Sequence, residues 1–205
     1  MNDFDVKALT WDDDPVKVDR AKQVAEAIRK HTPLKHSMSG LDYGCGTGLL
    51  GFHLHPYLSH MTFMDNSDGM LEVLNRKIEQ GGFTTMKPVK ANLMEDPPVD
   101  EKYDIIVNSM VLHHIPDTDK ILNIFHSMLH PGGYLCIADL DKEDGSFHGK
   151  EVKVHHGFNR TQLAKQFEQA GFILTHNDIC FELPKKTKDG EKKWFPVFLM
   201  VGQKQ

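Results

Sequence analysis

Leu41-Asp42-Tyr43-Gly44-Cys45-Gly46-Thr47-Gly48 places an acid and then three glycines at alternate positions, directly after a short apolar run. Glycine has no Cβ, so it can take a positive φ and let main-chain N–H and C=O groups come close to a bound molecule. Gly40, Leu41 and Tyr43 read as the end of a strand, and Leu49, Leu50, Phe52 and Leu54 as the opening of a helix. Strand, glycine turn and helix make the first unit of a nucleotide-binding α/β sheet. The loop is G-x-G-x-G, with Leu49 where the dinucleotide fingerprint needs its third glycine. A pyrophosphate favours a helix N-terminus with N–H groups aimed at negative charge, whereas Asp42 just before the turn suits a cationic group.

A second acid follows at the end of the apolar run Met61-Thr62-Phe63-Met64. Asp65 lies 21 residues beyond Gly44, close to the spacing of about 20 expected for a carboxylate that accepts both ribose hydroxyls. Asp65 is therefore the ribose candidate.

With those residues in place, the chain from about Leu41 to Asp139 resembles the class I S-adenosylmethionine-dependent methyltransferases. LDYGCGTG, MTFMD, KANLME, YDIIVNSMVLHHI and LHPGGYLCIADL resemble that family's five motifs in order. The fourth and fifth look most like the branch that includes quinone-biosynthesis methyltransferases. The resemblance implies a Rossmann-like, doubly wound α/β fold: a mostly parallel seven-stranded sheet, its last strand antiparallel, with helices on both faces. It implies S-adenosylmethionine as cofactor and S-adenosylhomocysteine as product. The cofactor-binding set it implies is Asp42, Gly44, Cys45, Gly46, Gly48, Asp65, Asn66, Asn92, Leu93, Asn108 and Ser109. Within that set the glycines face the methionine part, Asp42 supports its ammonium and Asp65 holds the ribose. Asn92 stands where the family usually has an aspartate beside the adenine amino group; its amide carbonyl can still accept that N–H. The turn from Val111 to His114 would border the methyl group.

The 205 residues suit one domain, which at this size buries about 70% of its unfolded surface. Residues 1–36 read as an N-terminal helical cap and 37–139 as the cofactor core. Residues 140–160 read as a lid or acceptor insertion, and 161–205 as a helix and strand hairpin. Asp14 and Pro15 mark a helix start, and Ala21, Val24, Ala25 and Ile28 give it an apolar face. Further helices are expected from Asp68 to Gln80, Thr118 to Leu129 and Thr161 to Ala170, and strands from Phe172 to Ile179 and Phe195 to Val201. No apolar run is long enough to span a bilayer, and the acidic N-terminus lacks the basic region of a signal peptide, so a cytoplasmic protein is expected. Cys45, Cys136 and Cys180 form no C-x-x-C pair. A net charge of −5 argues against a nucleic-acid partner. The basic stretch from Lys185 to Lys193 contains Asp189-Gly190 and reads as a solvated hairpin turn. The expected partner is a small molecule, and the chain a monomer or homodimer.

Histidine is the likeliest proton acceptor for a hydroxylated substrate because it titrates near neutrality, and the chain has 13. His113-His114 follows the fourth strand, where an open α/β sheet has its ligand crevice; one of the pair either packs the turn or meets substrate. His148, His155 and His156 lie in the long segment Leu140 to Phe158. His114, His148, His155 and His156 are the acceptor or base candidates. His148, Glu151, His155 and His156 also carry donor types suited to zinc or iron, but their spacing matches no standard motif, and no metal is expected. Phe4, Leu9 and Trp11 form either a cover over the cofactor or a staple for the first helix. A nicotinamide-dependent oxidoreductase, which Leu49 disfavours, and a non-catalytic binding module of the same fold are the alternatives.

Overall fold

A computed structural model describes residues 3–96, 100–149, 152–187 and 190–205. Seven strands form one sheet in the order β3-β2-β1-β4-β5-β7-β6. Their ranges are β1 Ser39–Tyr43, β2 His60–Asp65, β3 Met86–Lys90, β4 Tyr103–Ser109, β5 Leu129–Leu140, β6 Phe172–Lys186 and β7 Lys192–Lys204. β7 runs antiparallel to both of its neighbours, and the other pairings are parallel. The order reverses between β1 and β4, and the crevice at the carboxyl ends of those strands is where such sheets bind ligands.

Alternate residues of each central strand enter opposite cores, as the two-residue pleat requires. Ile105 and Val107 of β4 join Phe63 and the helices α2 (Pro15–His31), α3 (Leu49–Leu54) and α4 (Asp68–Gly81) on one face. Ile106 joins Leu41, Tyr43 and the helices α5 (Thr118–Met128) and α6 (Arg160–Gln169) on the other. The side chain of Asp14 caps α2 by accepting from the Val16 N–H at 3.0 Å, and Ala21, Val24, Ala25 and Ile28 are the residues it buries. This helix packs into the first of these two cores. A short α1 (Asp3–Lys7) and a 3-10 turn over Ala8–Asp13 precede it.

α3 stops after six residues because a 3-10 turn containing Pro56 follows at once. The last two strands are longer than their apolar runs predict. Their ladder continues through Leu183↔Phe195 to Lys186↔Lys192, so residues at both ends of the basic stretch are strand residues. Lys188 and Asp189 of the expected turn lie outside the described residues.

The connection after β5 folds back onto the sheet. Asp141 bridges Phe158, and the Phe158 N–H donates to the Leu140 carbonyl at 2.9 Å. Gly157 takes φ +64°, and a Cβ there would run into the Asp141 carbonyl. Gly157→Ala is therefore expected to cost about 2–4 kcal/mol through backbone strain and displacement of this loop. Denaturant unfolding checks it; an unchanged midpoint would mean that the loop is not anchored here.

Candidate active site

Three acids end three strands at the carboxyl edge of the sheet: Asp42 in β1, Asp65 in β2 and Asp139 in β5. Asp42 is buried and accepts the Gly51 N–H at 3.0 Å. Burial pushes its carboxyl up to about 7; the Gly51 N–H opposes the shift and the Asp65 charge adds to it. Asp65 accepts the Gly46 N–H at 2.7 Å through Oδ2 and the Ser67 N–H at 2.9 Å through Oδ1, which ties the glycine loop to the start of α4. Burial raises its pKa too, against those N–H bonds.

The three glycines meet different demands, although all have positive φ. A Cβ on Gly44 would overlap the Val111 side chain, and one on Gly48 would come within 2.8 Å of Leu74. A Cβ on Gly46 would meet only Met70 Sδ at 3.8 Å and Trp11 Nε1 at 3.9 Å, so its space is framed but not filled. Burial, with the neighbouring Asp42 and Asp65, raises the thiol of Cys45 well above its ordinary value.

Asn108 is fully buried, and its Nδ2 donates to the Tyr43 carbonyl at 2.9 Å. Its Oδ1 is buried with no protein partner. A lone buried acceptor is costly, and one at this crevice suits a donor brought by a ligand. Ser109 is half-buried, and Met110 next to it takes φ 59°, an outlier for an unbranched apolar side chain. Asn92 accepts the Met94 N–H at 3.1 Å through Oδ1, so one of its two carbonyl lone pairs already closes a turn. Leu93 is buried in the core and Asn66 is exposed.

The N-terminal segment latches over this loop. Thr47 Oγ1 donates to Asp12 Oδ1 at 2.5 Å, and Lys77 Nζ donates to Asp12 Oδ2 and the Thr47 carbonyl, each at 2.8 Å. Asp5 accepts from Ser67 Oγ at 2.6 Å and from the Gly69 N–H at 3.0 Å. Phe4 packs edge-on against Trp11 and His114. Leu9 is 72% exposed and takes no part in the cover.

The sequence candidates among the histidines separate. His148 approaches His113, with Nε2 atoms 3.0 Å apart, and His114 lies against both rings. Burial and the neighbouring rings push His148 down to about 4, and His114 in the same direction, although solvent at the outer edge of His114 screens part of the effect. His155 instead donates through Nε2 to the Ile115 carbonyl at 3.0 Å and packs on Phe158, which makes it a strut for the loop. His156 supplies its carbonyl to the Glu143 N–H. Glu151 lies outside the described residues.

Sequence reasoning passed over Asp139, the fully buried partner of His113: Oδ1 and Nδ1 are 2.6 Å apart, and Oδ2 accepts the His113 N–H at 3.2 Å. The signal was available, since Asp139 is an acid at the carboxyl end of an apolar strand, just as Asp42 and Asp65 are. A surface cleft of about 770 Å3 between α2 and the β6–β7 hairpin, lined in part by Asp19, Cys180, Phe181 and Trp194, contains none of these residues.

The methyltransferase-domain family model matches residues 17–177. The chain belongs to this family. Its sheet and motif order are those of the class I S-adenosylmethionine-dependent methyltransferases, and the family places it among methyltransferases rather than nicotinamide-dependent oxidoreductases. An uncharacterized methyltransferase of Schizosaccharomyces pombe is 32% identical over 152 residues, 66% of this chain and 54% of that protein. The ubiquinone biosynthesis O-methyltransferase of Marinobacter nauticus is 29% identical over 109 residues, covering 52% and 46%. The chain thus spans about half the length of the curated relatives it matches. The N-methyltransferase NodS of Bradyrhizobium japonicum, solved with S-adenosylhomocysteine, superposes with TM-score 0.70 at 15% identity over 94% of this chain and 89% of that one, which shows a shared fold. Among the described residues no helix of this methyltransferase-family chain is long and apolar enough to cross a membrane.

Proposed function

We propose that the chain transfers a methyl group from S-adenosylmethionine to a small-molecule acceptor, hydroxylated or aromatic. The observation that carries this reading is the partnerless Asn108 Oδ1, buried beside a glycine loop whose Gly46 faces framed space between Trp11 and Met70. The Asp65 carboxylate on the Gly46 N–H, the Asp42 carboxyl on the Gly51 N–H and the Asn108 amide on the Tyr43 carbonyl sit along this loop and its strand, which fits a ligand that brings an ammonium, a sulfonium and ribose hydroxyls. Asp65 would hold the ribose; Asp42, Asn108, Ser109 and the loop from Gly44 to Gly48 the amino-acid end; and Asn66, Asn92 and Leu93 the adenosine. When bound, this cofactor supplies a methyl group already activated by a positive sulfur, so the protein's task is alignment and acceptance of the acceptor's proton. The N-terminal cover sheds water from the crevice, and the uncharged His148 imidazole offers a lone pair for that proton. The net charge of −5 supports an acceptor other than nucleic acid. A cytoplasmic monomer or homodimer is the matching form.

Calorimetric titration with S-adenosylmethionine, S-adenosylhomocysteine and NADH tests the reading. Saturable binding of the two sulfur nucleosides, with NADH inert, is expected. Binding of NADH alone, or of none of the three, would overturn it.

A further inference from the structure

We propose that His113, His114 and His148 form a site for one first-row transition-metal ion, with Asp139 holding its innermost ligand from behind. Among the described residues, this is the group of histidine, cysteine and carboxylate side chains whose donor atoms come together, all within 4.8 Å of one another. Two imidazole nitrogens bound to one metal at about 2.0–2.1 Å stand roughly 2.9–3.4 Å apart, for bond angles between octahedral and tetrahedral. The Nε2 atoms of His113 and His148 are already 3.0 Å apart.

Their orientation has a cause. With Nδ1–H donating to Asp139, the Nε2 of His113 is the ring atom left to face His148, and the two Nε2 atoms meet at 3.0 Å. Without metal, one proton must sit between the two Nε2 atoms; a metal ion replaces it. A carboxylate behind a histidine is the usual support of a metal-ligating imidazole, because it fixes the tautomer and raises the basicity of the ligand nitrogen. His114 is the movable third ligand. It is exposed, packs edge-on against Phe4 with ring centroids 5.7 Å apart, and its donor nitrogen already lies within 4.8 Å of those of the other two. Three neutral nitrogens select zinc, iron, nickel or copper over magnesium and calcium, which want oxygen.

The site begins two residues after Val111, the side chain that fills the space above Gly44, so it adjoins the glycine loop. Three protein ligands leave a position open for substrate, as catalytic metal sites require. Resting on the proposed methyl transfer, that position would take an acceptor oxygen and favour its deprotonated form; with the ion bound, His148 serves as its ligand and the acceptor's proton leaves to solvent rather than to that imidazole.

The test uses untagged, chelator-stripped protein titrated with Co2+ and followed by its visible absorption. One equivalent should bind saturably and be displaced by Zn2+. His148→Ala and His114→Ala should each weaken binding tenfold or more, while His31→Ala, which alters the separate stacked pair His31–His176, should not. These variants avoid the buried His113, whose loss threatens folding. No saturable Co2+ binding, or equal affinity in all three variants, overturns the site. S-adenosylmethionine binding is measured on the same stripped protein. Nucleoside binding without a cobalt site refutes the metal and leaves the methyltransferase reading standing; a histidine-dependent cobalt site without nucleoside binding does the reverse.

Discussion

Asp65→Ala is expected to weaken S-adenosylmethionine binding by a factor of roughly 10^2–10^4, at an NADH affinity that stays negligible. Hydrogen bonds to an ionised acceptor contribute about 1.5–3 kcal/mol each, and the ribose offers two hydroxyls to one carboxylate. The effect on the cofactor exceeds that on the fold. Truncation strands the Gly46 and Ser67 N–H groups that Asp65 now satisfies, but it also removes a buried charge that stands against both Asp5 and Asp42. Asp65→Asn keeps the shape and loses the charge, so it should fall between the parent and the alanine variant. Calorimetry on variants shown by thermal melting to be folded checks the order. An Asp65→Ala protein that binds the nucleoside within threefold of the parent would remove Asp65 from the ribose site.

The strand, glycine turn and helix around Gly44 to Gly48 were legible because their residues answer to backbone geometry. Alternate glycines, an acid at a strand end and a second acid about twenty residues on are local patterns that a single strand–turn–helix unit imposes. The apolar positions of α2 were equally plain, since helical periodicity writes them into four residues. What escaped was set by tertiary contact. That a Cβ on Gly44 would strike Val111 depends on a side chain more than sixty residues away in sequence, and the Met70 and Trp11 side chains that frame Gly46 come from two further segments. The long loop carries three histidines that look alike in sequence. Only the fold separates His148, brought to His113, from His155, spent on the Ile115 carbonyl. The lengths of β6 and β7 were underestimated because their outer ladder interleaves Leu183, Trp194 and Phe195 with Glu182, Pro184, Pro196 and four lysines, residue types depleted in strands.

Asp42 gives the second large effect, a proton released when the cofactor binds. Its carboxyl ordinarily ionises near 3.8 and here near 7, because burial disfavours the charged form. In the folded protein it therefore keeps a proton that the unfolded chain gives up. Its contribution to stability is full below the unfolded value and is lost as pH rises toward 7, on the order of 4 kcal/mol over that window at about 1.36 kcal/mol per pH unit. His148 works in the opposite direction. Its folded value of about 4 lies below the ordinary 6.5, so its contribution is present above 6.5 and lost as pH falls through 4. The Asp42 effect is thus isolated by comparing the parent with Asp42→Asn, which should lose less stability than the parent between pH 5 and 7. A cation placed beside Asp42 restores its charge, so binding favours the deprotonated protein. Affinity for S-adenosylmethionine should accordingly rise by up to about tenfold per pH unit from 5.5 and level off above 7. Calorimetry in buffers of different ionisation heat should register proton release at pH 6 and little at pH 8, with Asp42→Asn flat across the range. Parent affinity that is constant or falling between pH 5.5 and 7.5 would mean that no cationic group of the ligand comes to Asp42.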